Sequence, residues 1–588
     1  MKPENRQRWA VRLLMGTLGS ALVALAGYLS YRQVFLADEM AARAYDQQHM
    51  RVPIRPVRGS ILDTRMRVLA GSIDVQSVFA DPHVIVDPSA AATKVGRVLS
   101  MDPGEIVAKL TEERLKDPPG RFLWLRRRVS PETAEAVRRL NLPGITTITE
   151  GSRHYPNGSL AAHILGCVGI DEQGLDGLEM VFNERLCGAP GEARVLADRS
   201  RRPIWTEPEH FRPAVDGQQL VLTIDATIQA AAEEAIAEAC TKFRARSATA
   251  IVIEPATGYI LAMANVPTFN PNQYARFPVE ARRNRAVTDT FPPGSSCKPF
   301  IAAAALEAGV VHFGDIIFCE NGFWAEHKLH DAGHSYGNLT FERVLEKSSN
   351  IGMAKLGLRL GNERLHECLQ AFGFGRRSGV WLPGESSGVV FSLPRWTRLS
   401  TTRVAFGQEF AVTPLQLTSA FAAIANHGKL MRPKILRGVL DSRGQKAADL
   451  SETEVVGQAV GARTAHDLIQ RALVGVIQEG TGTACRIPGY KVFGKTGTAQ
   501  KIDPGTRTVS HSRFVGTFLC GAPADNPRVV VMVMVDEPDR SLGYYGGTVA
   551  APAAKRILEQ TLPYLGIPPT EPIPEQNGTR LVQQRVTN

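Results

Sequence analysis

The chain has 588 residues, a length that predicts about three to five domains. Hydrophobic residues make up 44% and charged residues 21% of it, which is ordinary for globular proteins and excludes a disordered chain or a collagen. The net charge of +10 is spread thinly, and the densest basic run, residues 126–128, is short, so we predict no nucleic-acid partner.

The cysteine pattern argues against a metal or redox centre. The 8 cysteines stand too far apart to form a CxxC unit, and no HExxH motif is present. We therefore predict neither a metal nor a cofactor. The sequence leaves open whether Cys167 and Cys187 form a disulfide bond.

The N-terminus carries a stretch that predicts a membrane anchor. Residues 13–31 contain no charge, and a helix of that length spans about 28 Å, close to the hydrocarbon thickness of a bilayer. Basic residues precede the stretch, which places the tail 1–12 in the cytoplasm and the rest of the chain outside. We therefore predict a single-pass protein of the inner, cytoplasmic membrane. A signal peptide cleaved near Ala24-Leu25-Ala26 is the alternative, but the apolar pattern continues to Tyr31.

Two modules follow a polar connector, which we predict for residues 32–55. From 56 to 215 the pattern alternates short strands, turns and a few helices. Ser130-Pro131-Glu132, for example, is typical of a helix start and predicts a helix over 131–140. No cluster of catalytic residue types stands out in this first module, so we interpret it as structural or interacting.

The second module, predicted for 216–566, is richer in regular elements, and between 291 and about 480 the pattern indicates mostly helices. The predicted architecture is α+β, an antiparallel sheet flanked by terminal helices with a helical insert. The proline-rich end, 567–588, is predicted to be a disordered tail. The sheet strands are predicted at 248–254, 259–264, 491–500, 513–520 and 529–535, and the flanking helices at 224–245 and 551–562.

A serine and a lysine three residues apart stand at the start of a predicted helix. Ser295 and Lys298 open an apolar stretch that ends at Gly309. Residues i and i+3 share a helix face, so the hydroxyl and the amine can meet. A serine hydroxyl is a weak nucleophile until a base takes its proton, and a lysine whose pKa is lowered by burial is such a base. Alone, the pattern is more typical of an N-capping serine beside a surface lysine.

Two further polar motifs lie downstream, one between predicted helices and one on a predicted strand. Lys495 and the threonine hydroxyls of the second motif are suited to binding a carboxylate. Gly497 would let a substrate or another backbone approach an edge strand closely. In chain order the set is Ser-x-x-Lys, Ser-x-Asn and Lys-Thr-Gly, with first residues 53 and 147 positions apart. That set is typical of β-lactamases and penicillin-binding proteins. The two downstream motifs are Ser348-Ser349-Asn350 and Lys495-Thr496-Gly497-Thr498.

Residues 489–496 also match the Walker A pattern of P-loop ATPases. A P-loop needs an apolar strand before its first glycine, and residues 483–488 do not form one. Tyr490 to Phe493 favours a strand rather than a phosphate-binding loop, and Gly497 and Pro504 oppose a following helix. We therefore set the ATPase interpretation aside.

Beyond the three motifs, the sequence resembles the class B penicillin-binding proteins, and in particular their division-type D,D-transpeptidases. The resemblance runs from the anchor to about Gly566. It implies that 56–215 is a pedestal, or dimerisation-type, domain and that 216–566 is a transpeptidase domain. The segments that carry it are Arg58-Gly59-Ser60-Ile61-Leu62-Asp63, Arg153-His154-Tyr155-Pro156, Gly174-Leu175-Asp176-Gly177-Leu178-Glu179, Lys347-Ser348-Ser349-Asn350-Ile351-Gly352, Val412-Thr413-Pro414-Leu415-Gln416-Leu417, Tyr544-Tyr545-Gly546-Gly547 and Ala551-Pro552.

The resemblance implies a role for each motif residue. Ser295 attacks the penultimate D-Ala of a peptidoglycan stem peptide, Lys298 is the acylation base, and Ser348 relays a proton between Lys298 and Lys495. Asn350 holds the substrate amide, and Lys495, Thr496 and Thr498 bind the terminal carboxylate. The backbone N–H groups of Ser295 and Thr498 form the oxyanion hole. An acceptor amine then forms the crosslink, and β-lactams acylate Ser295 as substrate mimics.

The chain departs from the family pattern near the nucleophile. Cys297 stands inside the Ser-x-x-Lys motif, and Phe291-Pro292-Pro293 replaces the usual Glu-Pro. We expect altered packing rather than lost activity, and a thiol at position 297 that is open to modification.

There are three alternatives to a division-type enzyme, and the sequence argues against the last of them, a β-lactamase. An elongation-type class B transpeptidase shares all three motifs, and a catalytically inactive scaffold is the alternative from another class. A class A β-lactamase would need a downstream Glu-x-x-Leu-Asn motif, which the sequence between Asn350 and Lys495 lacks. The resemblance also implies partners: lipid-linked or nascent peptidoglycan, the membrane, a SEDS-type glycosyltransferase and other divisome proteins.

Overall fold

A computed structural model describes residues 3–117, 120–197, 203–502, 505 and 508–572. Its mixture of helices and mainly antiparallel sheets confirms the predicted α+β class. The strands in the described part are β1 His49–Ile54, β2 Ile61–Leu62, β3 Val68–Ala80, β4 Leu123–Val129, β5 Ile145–His154, β6 Gly191–Ala197, β7 Pro203–Arg212, β8 Gln219–Leu222, β9 Ser247–Glu254, β10 Tyr259–Val266, β11 Ile316–Phe318, β12 Phe323–Trp324, β13 Leu329–His330, β14 Asn338–Thr340, β15 Lys429–Met431, β16 Leu436–Leu440, β17 Lys446–Asp449, β18 Val455–Gln458, β19 Phe493–Ile502, β20 Val509–Ala522 and β21 Val529–Asp536.

The helices predicted over 131–140, 224–245 and 551–562 are observed at Pro131–Arg139, Ala226–Lys242 and Ala551–Tyr564. Ser130, for example, accepts a hydrogen bond from Thr133 N and starts the helix predicted over 131–140. The helices in the described part are α1 Pro3–Val34, α2 Ala37–Gln48, α3 Pro88–Leu99, α4 Pro103–Leu115, α5 Pro131–Arg139, α6 Ala162–Leu165, α7 Gly177–Val181, α8 Asn183–Cys187, α9 Ala226–Lys242, α10 Val279–Arg282, α11 Arg285–Thr288, α12 Lys298–Glu307, α13 Phe341–Glu346, α14 Asn350–Ala371, α15 Ser400–Val404, α16 Pro414–Ala425, α17 Ala462–Leu468, α18 Val474–Gln478, α19 Gly546–Val549 and α20 Ala551–Tyr564.

The chain divides into two units, the first made of Met1–Val57 and Gly188–Asp216. Within α1, Gln7–Val34 is the one helical segment of the described residues that is long and apolar enough to cross a membrane. Strands β1, β6 and β7 form a small antiparallel sheet in that order. The segment 32–55, expected to be a polar connector, thus contributes both a helix and a strand. Its pairing with β6 is a long-range contact that a local pattern does not reveal.

The second unit, Arg58–Cys187 with Gly217–Asn588, contains a sheet that crosses the predicted module boundary at 216. Strand β2 pairs with β3 on one side and runs parallel to β8 on the other, where Ile61 lies opposite Leu220. Strand β8 in turn pairs with β16 from the second module. The two modules therefore share backbone hydrogen bonds, and the predicted boundary stays a prediction.

Three pedestal segments that carry the family resemblance meet at one buried carboxylate. Glu179 is fully buried and accepts hydrogen bonds from Arg58 Nε at 2.8 Å and Arg153 Nε at 2.6 Å. Tyr155 Oη lies 3.3 Å from the same carboxylate, and Arg153 Nη1 donates to Gly59 O. A buried carboxylate needs such partners because an uncompensated charge in the interior is costly. The cluster therefore ties together chain segments more than 100 residues apart in sequence.

A five-stranded antiparallel sheet in the order β10-β9-β21-β20-β19 forms the base of the second module. Strand β21 is buried on both faces, because its alternate side chains belong to two different cores. One core contains α9 and α20, and the other contains α12, α14 and α16. The β21 residues of the first core are Val529, Val531, Val533 and Val535, and those of the second are Val530, Met532 and Met534.

The part between 291 and 480 is less helical than the sequence indicated. It contains α12 to α18, but also the two-stranded pairs β11–β14, β12–β13 and β15–β18, and the strand β16 of the larger sheet. These strands are two to five residues long, too short to show a recognisable period-two pattern. One of these short strands, β13, lies next to the candidate active site.

The chain stays packed beyond Gly566, where a disordered tail was expected. Ile567 is buried and its carbonyl accepts a hydrogen bond from Tyr490 Oη at 2.7 Å. Thr570 N donates to Gly489 O. The rest of the expected tail, from 573 to 588, lies outside the described residues. Cys167 and Cys187, whose pairing the sequence left open, are free thiols.

Candidate active site

Ser295 lies in a short 3-10 turn, Gly294–Cys297, that leads directly into α12. Gly294 has φ 54° and its N–H donates to Gly407 O. A Cβ at Gly294 would come within 2.9 Å of Thr498 O, so only glycine lets this turn lie against β19. Ser295 is partly exposed, whereas Ser296 and Cys297 beside it are buried. The turn therefore presents the hydroxyl of Ser295 and hides its neighbours.

Lys298 follows one turn later and is fully buried. Its Nζ donates to Asn350 Oδ1 at 2.8 Å and to Ser348, at 2.7 Å for the carbonyl and 3.2 Å for Oγ. Direct hydrogen bonds thus join the first two predicted motifs, through Lys298 and Ser348, which are 50 positions apart.

Ser348 connects the third motif to the first. Its backbone has φ 60°, an uncommon conformation for a residue with a side chain. Its Oγ accepts a hydrogen bond from Lys495 Nζ at 2.9 Å, across 147 residues of sequence. One hydroxyl therefore lies between two lysine ammonium groups, as the relay implied by the family would require.

The environment lowers the pKa of both lysines. Burial is the main cause for Lys298, whose pKa falls to about 8, and the nearby Asp331 carboxylate opposes that change. The pKa of Lys495 falls well below its ordinary value, because the side chain is buried and the charge on Lys298 lies near it. A lysine with a pKa near 8 is neutral in about one molecule in ten at pH 7. Lys298 thus has the proton affinity that a general base needs.

The third motif lies on β19, which is an edge strand of the five-stranded sheet. Thr496 Oγ1 shares a hydrogen bond of 2.6 Å with Thr481 Oγ1, and Thr498 Oγ1 accepts one from Gly546 N at 3.1 Å. A hydroxyl that accepts one bond keeps its proton available for a second partner. The Thr498 hydroxyl is therefore free to donate its proton to an anion at the strand edge.

Gly497 is required by side chains rather than by a neighbouring backbone or a bulge. It pairs in regular register with Thr517. A Cβ at this position would lie 2.1 Å from Ser296 Oγ and 2.3 Å from Thr517 Oγ1, two atoms that are themselves 2.6 Å apart. The missing side chain lets Gly294–Cys297, named the nucleophile turn after its candidate nucleophile Ser295, pack directly on β19.

The sequence did not single out two further polar residues of the site. Asp331 is buried and accepts hydrogen bonds from Asn350 N and Ser349 Oγ, and His330 O accepts one from Asn350 Nδ2. Both of these residues lie at or directly after β13, in a hairpin whose strands are two residues long. No spacing or periodicity marks them, and an alignment of related sequences would be the signal able to find them.

The structure agrees with one sequence interpretation of this region and corrects another. Residues 493–496 lie inside a ten-residue strand that continues past Thr496, where a P-loop would begin a helix, so the rejection of an ATPase is supported. The Cys297 thiol is fully buried, and burial raises its pKa to about 12. The expectation that it is open to modification is therefore wrong, because only an accessible thiolate reacts readily.

A partly exposed serine and a buried lysine one helical turn apart, on an α+β module, are the arrangement expected of a serine acyltransferase. Residues 248–559 match the family described as penicillin binding protein transpeptidase domain, and residues 53–222 match the penicillin-binding protein dimerisation domain. The chain belongs to this family, as a class B penicillin-binding protein of the FtsI type.

Relatives and solved structures cover nearly the whole chain. Peptidoglycan D,D-transpeptidase FtsI of Escherichia coli is 33% identical over 576 residues, which is 95% of this chain and 92% of that protein. Probable peptidoglycan D,D-transpeptidase PenA of Neisseria gonorrhoeae is 34% identical over 96% of this chain and 93% of that protein. Penicillin-binding protein 3 of Mycobacterium tuberculosis, solved with aztreonam, superposes with a TM-score of 0.69 at 29% identity, covering 89% of this chain and 99% of that one.

Proposed function

We propose that this chain is a peptidoglycan D,D-transpeptidase that crosslinks stem peptides through an acyl-enzyme on Ser295. The observation that carries the proposal is the Ser348 hydroxyl, which bonds both Lys298 Nζ and Lys495 Nζ. This contact gives the base at Lys298 a proton path toward the strand edge. The names of the relatives, peptidoglycan D,D-transpeptidases, support the substrate.

Acylation begins when neutral Lys298 takes the proton of Ser295 and the Oγ attacks the carbonyl of the penultimate D-Ala. The N–H groups of Ser295 and Thr498 stabilise the tetrahedral oxyanion, where one such donor is worth about 3–4 kcal/mol. The C–N bond then breaks, an ester forms on Ser295, and the leaving amine takes its proton through Lys298 and Ser348. The products are an acyl-enzyme and free D-Ala.

Crosslinking reverses these proton transfers. An amine from a neighbouring stem peptide attacks the ester and gives up a proton to Lys298. The C–O bond to Ser295 then breaks, an amide forms, and Lys298 returns the proton to the Ser295 oxygen. Lys495, Thr496 and Thr498 hold the terminal carboxylate of the donor peptide, and Asn350 holds its amide. A β-lactam enters the same site and acylates Ser295, which agrees with the aztreonam complex of the M. tuberculosis relative.

The cellular role follows from the relatives and the N-terminal helix. We place the chain in the inner membrane with its N-terminus in the cytoplasm and the catalytic module outside. FtsI naming among the relatives supports septal synthesis, with a SEDS-type glycosyltransferase and other divisome proteins as partners. Depletion of the protein in its host tests this role: filamentous cells support division, whereas rounded cells would favour the elongation-type alternative.

Labelling with a fluorescent penicillin tests the chemistry. We expect the full-length protein to form a long-lived adduct that tryptic mass spectrometry locates on Ser295. Ser295→Ala should lose the adduct. Ser296→Ala is the matched control and should keep it, because the Ser296 hydroxyl is buried against Thr517. A folded wild-type protein without an adduct would contradict the proposal and favour an inactive scaffold.

A further inference from the structure

Asp331 places a buried carboxylate directly beneath the Ser348-Ser349-Asn350 turn. Its Oδ1 accepts hydrogen bonds from Asn350 N at 2.6 Å and Ile351 N at 3.1 Å, and its Oδ2 accepts one from Ser349 Oγ at 2.8 Å. Its own N–H donates to Gly322 O, which fixes it to the preceding hairpin. The carboxylate thus bonds three consecutive residues that directly follow Ser348.

These hydrogen bonds act on a strained turn. Ser348 is held at φ 60°, which a residue with a side chain adopts only when its surroundings enforce it. The residues after it begin α14, where Asp331 satisfies two free N–H groups and its charge complements the positive end of the helix dipole. Without the carboxylate, nothing else among the described contacts bonds Asn350 N and Ile351 N.

The same carboxylate supplies a compensating negative charge to the buried Lys298. Burial lowers the pKa of Lys298, and Asp331 is the largest influence that raises it. The titratable groups that interact with Asp331 or Lys298 from the surrounding elements are Cys297 on the nucleophile turn, Cys319 after β11, Tyr336 before β14 and Lys495 on β19. Lys355 on α14 acts on Cys319 and is itself paired with Glu320.

We propose that Asp331 is a positioning residue for acylation: its hydrogen bonds to Ser349, Asn350 and Ile351 hold the Ser348 hydroxyl and the Asn350 amide in place beside Lys298. Among the described contacts Asp331 forms no hydrogen bond or ion pair with Ser295 or Lys298, so it acts on them through the residues that it holds. The inference rests on the proposed function, because it assigns a role within the same serine–lysine site. The three bonds and the buried charge together explain why a carboxylate, rather than a neutral cap, occupies this position.

Three variants of the full-length protein in detergent separate charge from geometry. Asp331→Asn removes the charge, and Asp331→Glu keeps it but displaces the carboxylate. Asp225→Asn is the matched control, because Asp225 is also a buried helix cap, on α9, with bonds from Thr227 N and Ile228 N. The measurement is the rate of acylation by a fluorescent penicillin as a function of pH, per folded enzyme.

The wild-type rate should rise with a midpoint near pH 8. For Asp331→Asn we expect a midpoint lower by about one pH unit and a plateau lower by about 10²-fold, as for a displaced catalytic group. Asp331→Glu should keep the midpoint of the pH profile and lower the plateau rate. Asp225→Asn should change neither.

The outcomes distinguish this inference from the proposed function. A wild-type protein that forms no adduct contradicts the proposed function. A wild-type protein that is acylated normally, together with an Asp331→Asn protein of the same midpoint and plateau, overturns the inference. An equal shift in Asp225→Asn also overturns it, since the effect would then be a general one. If Asp331→Asn does not fold, Ser349→Ala removes one of the three bonds and should lower the plateau alone; an unchanged plateau would contradict the proposal.

Discussion

Lys298 and Lys495 share a single acceptor: their Nζ atoms lie 3.2 Å and 2.9 Å from the Ser348 hydroxyl oxygen. A hydroxyl oxygen has two lone pairs and can accept from both. Two buried cations this close disfavour each other's charge, and burial adds to that effect. The pKa values of both lysines are therefore lowered, that of Lys298 to about 8, which favours a neutral amine in a site that contains two lysines.

The pH dependence of acylation should report the pKa of Lys298. Its pKa is lowered to about 8, so the protonated form dominates below that pH and the neutral base dominates above it. We expect the acylation rate to rise as the pH increases through about 8. Lys298→Arg, which keeps the charge but does not lose its proton, should abolish the rise together with the activity. A wild-type rate that is flat from pH 6 to pH 10 would refute this assignment.

Ser348→Ala should slow acylation strongly and reduce the stability of the protein only slightly. The variant removes the oxygen that both lysines contact, so proton transfer loses its path, and we expect a loss of about 10²–10⁴-fold. Stopped-flow measurement with a chromogenic β-lactam gives the rate. Ser89→Ala, at an exposed position of α3, is the control and should be acylated like the wild type. Equal rates for the two variants would remove Ser348 from the mechanism.

Gly497→Ala should separate the nucleophile turn from β19. The added Cβ would collide with Ser296 Oγ and Thr517 Oγ1, and such overpacking costs about 1–3 kcal/mol. We expect a lower Tm and little acylation. Gly457→Ala on β18 is a matched strand substitution with no atom within 4 Å of its Cβ, and it should leave both properties unchanged. Normal acylation of Gly497→Ala would show that the strand adapts freely.

Cys297 should resist thiol reagents in the folded protein. Its thiol is fully buried and its pKa is raised to about 12 by that burial. Alkylation followed by peptide mass spectrometry should modify the partly exposed Cys187 first and Cys297 only after denaturation. Labelling of Cys297 at the native rate of Cys187 would indicate that the nucleophile turn opens spontaneously.

Glu179→Gln should destabilise the pedestal more than any exposed carboxylate does. The variant leaves Arg58 and Arg153 without their shared counter-charge in the interior, and breaking such a buried pair costs about 3–5 kcal/mol. Differential scanning fluorimetry should show a clearly lower Tm. Glu135→Gln removes a carboxylate paired with the half-exposed Arg138, and such pairs contribute about 1 kcal/mol or less. Equal Tm values for the two variants would contradict a structural role for the Glu179 cluster.

Much of the site could be predicted because its chemistry is local. Ser295 and Lys298 are three residues apart on one helix start, and the apolar stretch 13–31 needs no partner to be recognised. The continuous apolar run 529–535 likewise predicted the strand that is observed as β21. Each of these signals depends on neighbours in sequence, which the amino-acid pattern records directly.

The tertiary structure alone decided which distant groups meet. Lys495 reaches Ser348 only because the edge strand β19 lies beside the nucleophile turn, and Glu179 meets Arg58 only when three pedestal segments pack together. Asp331 follows a two-residue strand that has no readable period. Contacts of this kind depend on sheet register and on packing across more than a hundred residues, or on a hairpin too short to leave a pattern. The sequence therefore identified the motif residues of the site, and only the folded chain showed how they are held and that Asp331 lies beside them.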